Sequence, residues 1–70
     1  MTRQATKLIR DGRHVAEVSI ELEYSDESWS PTMSLEDAEK LERVRLALRR
    51  GDIAAAAKDA KVFELLPLAG

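Results

Sequence analysis

One segment of this sequence alternates strictly between apolar and polar side chains. The apolar members are Ala16, Val18, Ile20, Leu22 and Tyr24, and the residues between them are Glu17, Ser19, Glu21 and Glu23. Successive side chains of a β-strand point to opposite faces of a sheet, so a repeat of two predicts a strand with one dry face. The rest of the chain must cover that face.

The residues before this strand predict its partner. A short segment, residues 6–10, contains Leu8 and Ile9 and is followed by Asp11-Gly12, a pair that readily adopts positive φ in a tight turn. The first third of the chain is therefore predicted to be a β-hairpin. A two-residue loop would put Ile9 on the dry face and a three-residue loop would put Leu8 there, and both registers remain open.

A helix is predicted after the polar connection of residues 25–33. Ser34 is the expected N-cap, and the carboxylate of Asp37 is placed to reach back in a capping box. Leu41, Val44 and Leu48 fall within a sector of about 60° around the helix and are expected to face the core.

The last third predicts a second helix and a closing strand. Gly51 suits the left-handed position that ends a helix, and Asp52 can cap a short alanine helix from Ile53 to about residue 60. A short strand is expected over residues 62–66, with Phe63 in the core; it pairs with an edge of the hairpin or with another chain. The predicted fold class is α+β, in the order β-β-α-α-β.

The length of 70 residues indicates one domain over residues 1–70, with residues 1–5 and 68–70 expected to be disordered. The sequence contains no cysteine and no long apolar segment, so we expect a cytoplasmic protein without disulfides or a membrane span.

The sequence offers little for catalysis. His14 is the sole histidine, and the three glycines are too far apart to build a phosphate-binding loop. The glutamates alternate with apolar residues and are expected on a solvated face, which does not provide the desolvation that a catalytic acid needs. We therefore expect no enzymatic activity, no cofactor and no metal site.

Charge is strongly segregated along the chain. Residues 17–42 contain nine acidic and one basic side chain, a net charge of −8, whereas both flanking segments are basic. The acidic strand face predicts a docking surface for a basic protein, because complementary charge speeds association. Trp29 is a candidate anchor in its loop, and Leu35 and Leu46 form a second apolar line on the first helix. The predicted partner-binding residues are Glu17, Glu21, Glu23, Trp29, Leu35 and Leu46.

An arginine cluster supports an alternative function. Arg43, Arg45, Arg49 and Arg50 lie near the end of the first helix, and a turn with a glycine leads to a second helix, as in a helix-turn-helix. The start of the second helix contains isoleucine and alanine in place of side chains that read bases, so nucleic acid is not the expected partner. A small DNA-binding regulator is therefore the second hypothesis.

Several segments together resemble a protein family. They are Lys-Leu-Ile-Arg-Asp-Gly followed by Val-Ala-Glu-Val, Trp29-Ser30-Pro31, Ser34-Leu35-Glu36-Asp37-Ala38, Ala47-Leu48-Arg49-Arg50-Gly51-Asp52, and Val62-Phe63-Glu64-Leu65 with Pro67. Over about residues 7–67 the chain resembles short, mostly uncharacterised bacterial proteins, many of which look like antitoxins of type II toxin-antitoxin modules.

The resemblance implies a cytoplasmic protein that binds a toxin, commonly a basic endoribonuclease, and masks its active surface. Many antitoxins combine a DNA-binding module with a long toxin-wrapping tail, and this chain is too short for both. The resemblance assigns no functional residues. A partner encoded by the adjacent gene is expected, and a homodimer is left open.

Overall fold

The computed structural model describes residues 2–25 and 30–68, which form a four-stranded antiparallel sheet with two helices on one face. The α+β fold and the predicted order of its main elements are confirmed, and a two-residue strand is added before the first helix. The elements are β1 (Thr2–Asp11), β2 (His14–Glu23), β3 (Thr32–Met33), α1 (Leu35–Arg49), α2 (Ile53–Asp59) and β4 (Lys61–Glu64).

The turn between β1 and β2 decides the open question of register. Asp11 pairs with His14, so the two central turn residues are Gly12 and Arg13. Gly12 has a φ of +60°, and Arg13 has a negative φ, which is the pattern of a type II′ hairpin turn rather than an Asp-Gly turn with two positive φ angles. This two-residue turn places Ile9 opposite Ala16 on the core side and leaves Leu8 outside.

The first strand is longer than the sequence indicated. Residues 2–5 belong to β1, and Ala5 packs against the core, so the expected disorder over residues 1–5 is wrong for residues 2–5. Their backbone groups pair with β2, although their side chains do not alternate between apolar and polar. The expected disorder at residues 69 and 70 lies outside the described residues.

One edge of β2 is shared by two short strands. β4 pairs with residues 14–17 of β2, and β3 pairs with Leu22 and Glu23. The C-terminal strand therefore pairs within its own chain, as one of the two predicted arrangements had it. Between β3 and β4 this edge of β2 has no strand partner in the described chain.

A side chain from α1 covers part of this gap. The Ser34 hydroxyl accepts from the Asp37 backbone N–H at 3.1 Å, which confirms the predicted N-cap. The Asp37 carboxylate, however, accepts from the Glu21 backbone N–H at 2.8 Å instead of reaching back to Ser34. The capping box is thus replaced by a contact between the helix and the sheet.

The helical hairpin ends and restarts as predicted. Gly51 has a φ of +76°, and the backbone N–H groups of Gly51 and Asp52 donate to Leu48 and Ala47, the two bonds of a Schellman motif. Asp52 then caps α2 by accepting from the Ala55 backbone N–H at 3.1 Å. This short connection turns the chain so that α2 lies against α1.

The core lies between the sheet and the helices. Its buried residues are small or medium in size: Ala16, Val18, Ile20, Val44, Ala47, Leu48 and Ala56. Val44 and Leu48 face the core as predicted, and Leu41 packs against it while half-buried. The prediction for Phe63 is wrong, because its side chain is 48% exposed.

Candidate protein-interaction surface

The three glutamates of β2 lie on the face of the sheet that the helices do not cover. Ala16, Val18 and Ile20 are buried under α1 and α2, so the residues between and beyond them point the other way. We call this side of the sheet the outer face. Glu17 is half-buried there, and Glu21 and Glu23 are exposed.

Neighbouring side chains distinguish Glu17 from the other two. Glu17 lies opposite Lys61 of β4, so a basic side chain shares its position on the sheet. On β1, Glu21 and Glu23 lie opposite the neutral residues Gln4 and Thr2. We refer to Glu21 and Glu23, whose Cα atoms are about 7 Å apart on one strand, as the acidic pair.

Apolar side chains lie on the same face, next to Glu17 and about 13 Å along the strands from Glu21. Val15 of β2 is directly opposite Phe63 of β4 and diagonally next to Leu8 of β1. Leu8 is 66% exposed and Phe63 is 48% exposed, whereas Val15 is half-buried between them. These three residues form the apolar strip, and Leu65 continues it past the end of β4, where its N–H donates to Arg13.

The predicted leucine line lies on the other side of the molecule. Leu35 and Leu46 are 74% and 39% exposed on the side of α1 that faces away from the sheet. They are also separated by 11 residues, or about 16 Å along the helix. The structure therefore does not join them to the glutamates in one surface, and their role in binding a partner stays a prediction. Trp29, the third component, lies outside the described residues.

The arginine cluster is likewise divided. Arg43 contacts Asp59 of α2 at 3.2 Å, and Arg45 contacts Glu42 at 2.6 Å. Arg43 and Arg50 face α2, whereas Arg45 and Arg49 lie roughly 100–160° further around α1. The four side chains thus form two groups instead of a single basic patch.

A groove separates α1 from α2 and contains the first of these groups. Its volume is about 370 Å³, and it is lined by Arg43, Leu46, Ala47, Arg50, Ala55, Lys58 and Asp59. Asp59 neutralises Arg43 within the groove. Arg50 and Lys58 are the charged groove residues without an ion pair among the described residues. The groove is therefore weakly basic and lies away from the acidic pair.

Polar chemistry in the described chain is confined to the surface. No polar or charged side chain is buried in residues 2–25 and 30–68. The same residues contain no cluster of three or more side chains suited to hold a metal ion. Their charged groups are accordingly exposed to solvent and to other molecules.

Sequence reasoning missed the apolar strip. The hairpin register had left either Leu8 or Ile9 outside, and the adjacent apolar residues Val62 and Phe63 could not both face inward from one strand. Those two signals together would have predicted an exposed apolar area on the same face as the glutamates. What the sequence lacked was the pairing of β4 with β2, which brings Phe63 next to Val15.

Comparison with known proteins identifies no family for this chain. No family model matches it, and no curated protein or solved structure matches it either. No helix in the described part of the chain is long and apolar enough to cross a membrane.

Proposed function

We propose that this protein is a non-catalytic, antitoxin-like interaction module that binds a basic protein through the outer face of its sheet. The observation that carries the proposal is that one face bears both an exposed apolar strip and an unneutralised acidic pair, which begins about 13 Å further along the strands. An apolar centre supplies binding energy, and charge at its rim supplies orientation and speed of association.

The exposure of the apolar strip supports a docking role. The domain has a small core, yet it leaves Leu8, Phe63 and Leu65 between 40% and 66% exposed on one side. Exposed apolar side chains that are contiguous and bordered by charge are typical of surfaces that another protein covers. A domain with so few buried large residues would gain stability from being covered.

The acidic charge defines the partner. Glu21 and Glu23 have neutral neighbours on the sheet, and the segment of residues 17–42 has a net charge of −8. A partner rich in lysine and arginine is complementary to this surface. The resemblance to antitoxins suggests a basic endoribonuclease encoded by the adjacent gene, bound in the cytoplasm and inactive while its active surface is covered.

Co-expression with the product of the adjacent gene tests the proposal. We expect expression of that gene alone to arrest growth, co-expression of this protein to restore growth, and a stable complex to be recovered by affinity purification. Absence of both a complex and growth rescue would refute the antitoxin function.

Two charge-reversal variants locate the interface. Glu21→Lys with Glu23→Lys should abolish rescue and weaken the complex, because both substitutions lie on the outer face. Glu36→Lys with Glu39→Lys makes the same change in net charge on exposed positions of α1 and should leave rescue intact. Equal loss in both variants would show that net charge matters and the outer face does not.

DNA binding through the arginine cluster remains the second proposal. Arg49 and Arg50 form no ion pair with any other described residue, so they are available to phosphates. A gel-shift assay against the protein's own upstream region tests this. Binding that weakens with salt and with Arg49→Ala and Arg50→Ala supports it, and binding indifferent to both counts against it.

A further inference from the structure

The outer edge of β1 is a long, unpaired strand edge. β1 pairs with β2 along its whole length, Thr2–Asp11, with one residue opposite each residue and no bulge. It contains neither proline nor glycine. In the described chain no other strand pairs with it. Proteins usually shorten, bend or cover such an edge, because its free N–H and C=O groups are a template for another strand.

The pairing pattern shows which residues present those groups. The Arg13 carbonyl accepts from the backbone N–H of Leu65, just past β4, so the backbone groups of the next residue, His14, point toward β1, where the partner is Asp11. By alternation, the odd-numbered residues of β1 bond to β2. The even-numbered residues direct their backbone groups outward: Thr2, Gln4, Thr6, Leu8 and Arg10.

We propose that a second copy of this chain covers the edge, with the two β1 strands antiparallel about a two-fold axis at Thr6. In this register Thr6 pairs with Thr6 of the second copy, and Gln4 pairs with Leu8. Residues 2–10 of each strand take part, with five pairs that each exchange two backbone hydrogen bonds. The two sheets become one continuous sheet of eight strands.

Charge selects this register among the neighbouring ones. Even-numbered residues must pair with even-numbered residues, so the register can shift only in steps of two. A shift of one step in one direction sets Lys7 opposite Lys7, and a shift in the other direction sets Arg3 opposite Lys7. Both shifts are unfavourable, because like charges directly opposite each other destabilise a sheet. About Thr6, Lys7 lies opposite Ala5, and Arg3 lies opposite Ile9. Among registers without opposed like charges, this one pairs the greatest length of strand.

The arrangement has a consequence for the outer face. A two-fold axis perpendicular to the sheet keeps the helices of both copies on one side and both outer faces on the other. The two acidic pairs and two apolar strips then lie on one continuous surface. This inference does not depend on the proposed function, but if both hold, the dimer presents two binding surfaces to its partner.

The backbone N–H of Thr6 provides the sharpest test. Proline lacks this donor but is tolerated on an edge strand whose N–H faces solvent, so Thr6→Pro should keep the monomer fold. Sedimentation velocity over a range of concentrations should show a dimer for the wild type and for the matched control Thr6→Val. The dissociation constant of the dimer should be at least roughly tenfold higher for Thr6→Pro, because this variant loses two central hydrogen bonds.

Hydrogen exchange supplies a second reading that does not require a variant. In the dimer the backbone amides of Thr6 and Leu8 should be protected in proportion to the dimeric fraction, whereas those of Lys7 and Ile9 are protected at every concentration by β2. A wild type that stays monomeric, with Thr6 and Leu8 amides exchanging like solvent-exposed groups, would overturn the proposal.

Substitutions on the outer face test the register. Gln4→Lys with Leu8→Lys sets lysine against lysine twice across the axis and should weaken the dimer. Gln4→Lys with Leu8→Glu sets lysine against glutamate in the same places and should restore it. If neither double variant changes the dissociation constant, the dimer forms through another surface and the edge pairing is refuted. The same conclusion follows if Thr6→Pro melts like the wild type and dimerises equally well.

Discussion

Replacing Leu48 by alanine tests the packing of α1 on the sheet. Leu48 is 4% exposed and belongs to the core cluster with Val18, Ile20 and Val44. Leu35 lies on the same helix and is 74% exposed. The substitution Leu35→Ala therefore makes the same chemical change outside the core and serves as the matched control.

The magnitude follows from burial. Truncating a buried leucine to alanine costs about 2–5 kcal/mol, because apolar contacts are lost and a cavity remains. At about 0.05–0.15 kcal/mol per residue, a chain of this length has a total stability of about 4–10 kcal/mol. Leu48→Ala should thus remove a large share of the free energy of unfolding, whereas Leu35→Ala should change it by less than about 0.5 kcal/mol.

Equilibrium unfolding in urea, followed by far-ultraviolet circular dichroism, measures this difference. Should Leu48→Ala prove unfolded without denaturant, Leu48→Val gives a graded reading, since it removes one methylene worth about 0.8 kcal/mol before any cavity or helix-propensity cost. An equal loss of stability in Leu35→Ala and Leu48→Ala would refute the orientation of α1, and with it the assignment of the outer face.

Three further substitutions test local features of the fold. Asp37→Ala should lower the free energy of unfolding by about 1–2 kcal/mol and speed amide exchange at Glu21, because that N–H loses its acceptor. Asp37→Asn keeps an acceptor oxygen and should retain most of the protection. Unchanged exchange at Glu21 in Asp37→Ala would contradict the contact. Gly12→Ala should lower stability by about 1 kcal/mol, because a side chain at a φ of +60° strains the backbone, and Gly12→Asn should lower it less. Thermal unfolding measures both variants, and unchanged stability of Gly12→Ala would argue against the turn. Ser34→Ala should lower stability by about 1 kcal/mol through loss of the N-cap, and Ser34→Asp should restore it; the same urea unfolding would show no difference if the cap were unimportant.

Features that depend on near neighbours in the chain were predicted correctly. The alternation from Ala16 to Leu22, the Ser34 and Asp52 caps and the left-handed Gly51 each depend on residues within a few positions of one another. Their energies are local, so the amino-acid types alone determine them. The same holds for the position of Glu17, Glu21 and Glu23 on one face, since a repeat of two fixes which side chains point together.

Features that depend on distant pairings were not predictable in this way. The face occupied by Phe63 follows from the register of β4 against β2, and the bond from Glu21 to Asp37 joins residues 16 positions apart. The strand at Thr32–Met33 has no alternation of its own and exists because β2 offers an open edge. Local propensity cannot rank such pairings, because their free energy comes from groups that meet only after folding.

The candidate surface shows the same division. The sequence by itself determined that three glutamates share a solvated face, that α1 turns Leu48 inward and Leu35 outward, and that a short strand follows the second helix. Only the tertiary structure decided that Leu8 and Phe63 flank Val15 on the same face as those glutamates, and that Leu35 and Leu46 lie on the opposite side of the molecule. The physical reason is that side-chain periodicity acts within one element, whereas the assembly of a surface depends on the register and layering between elements.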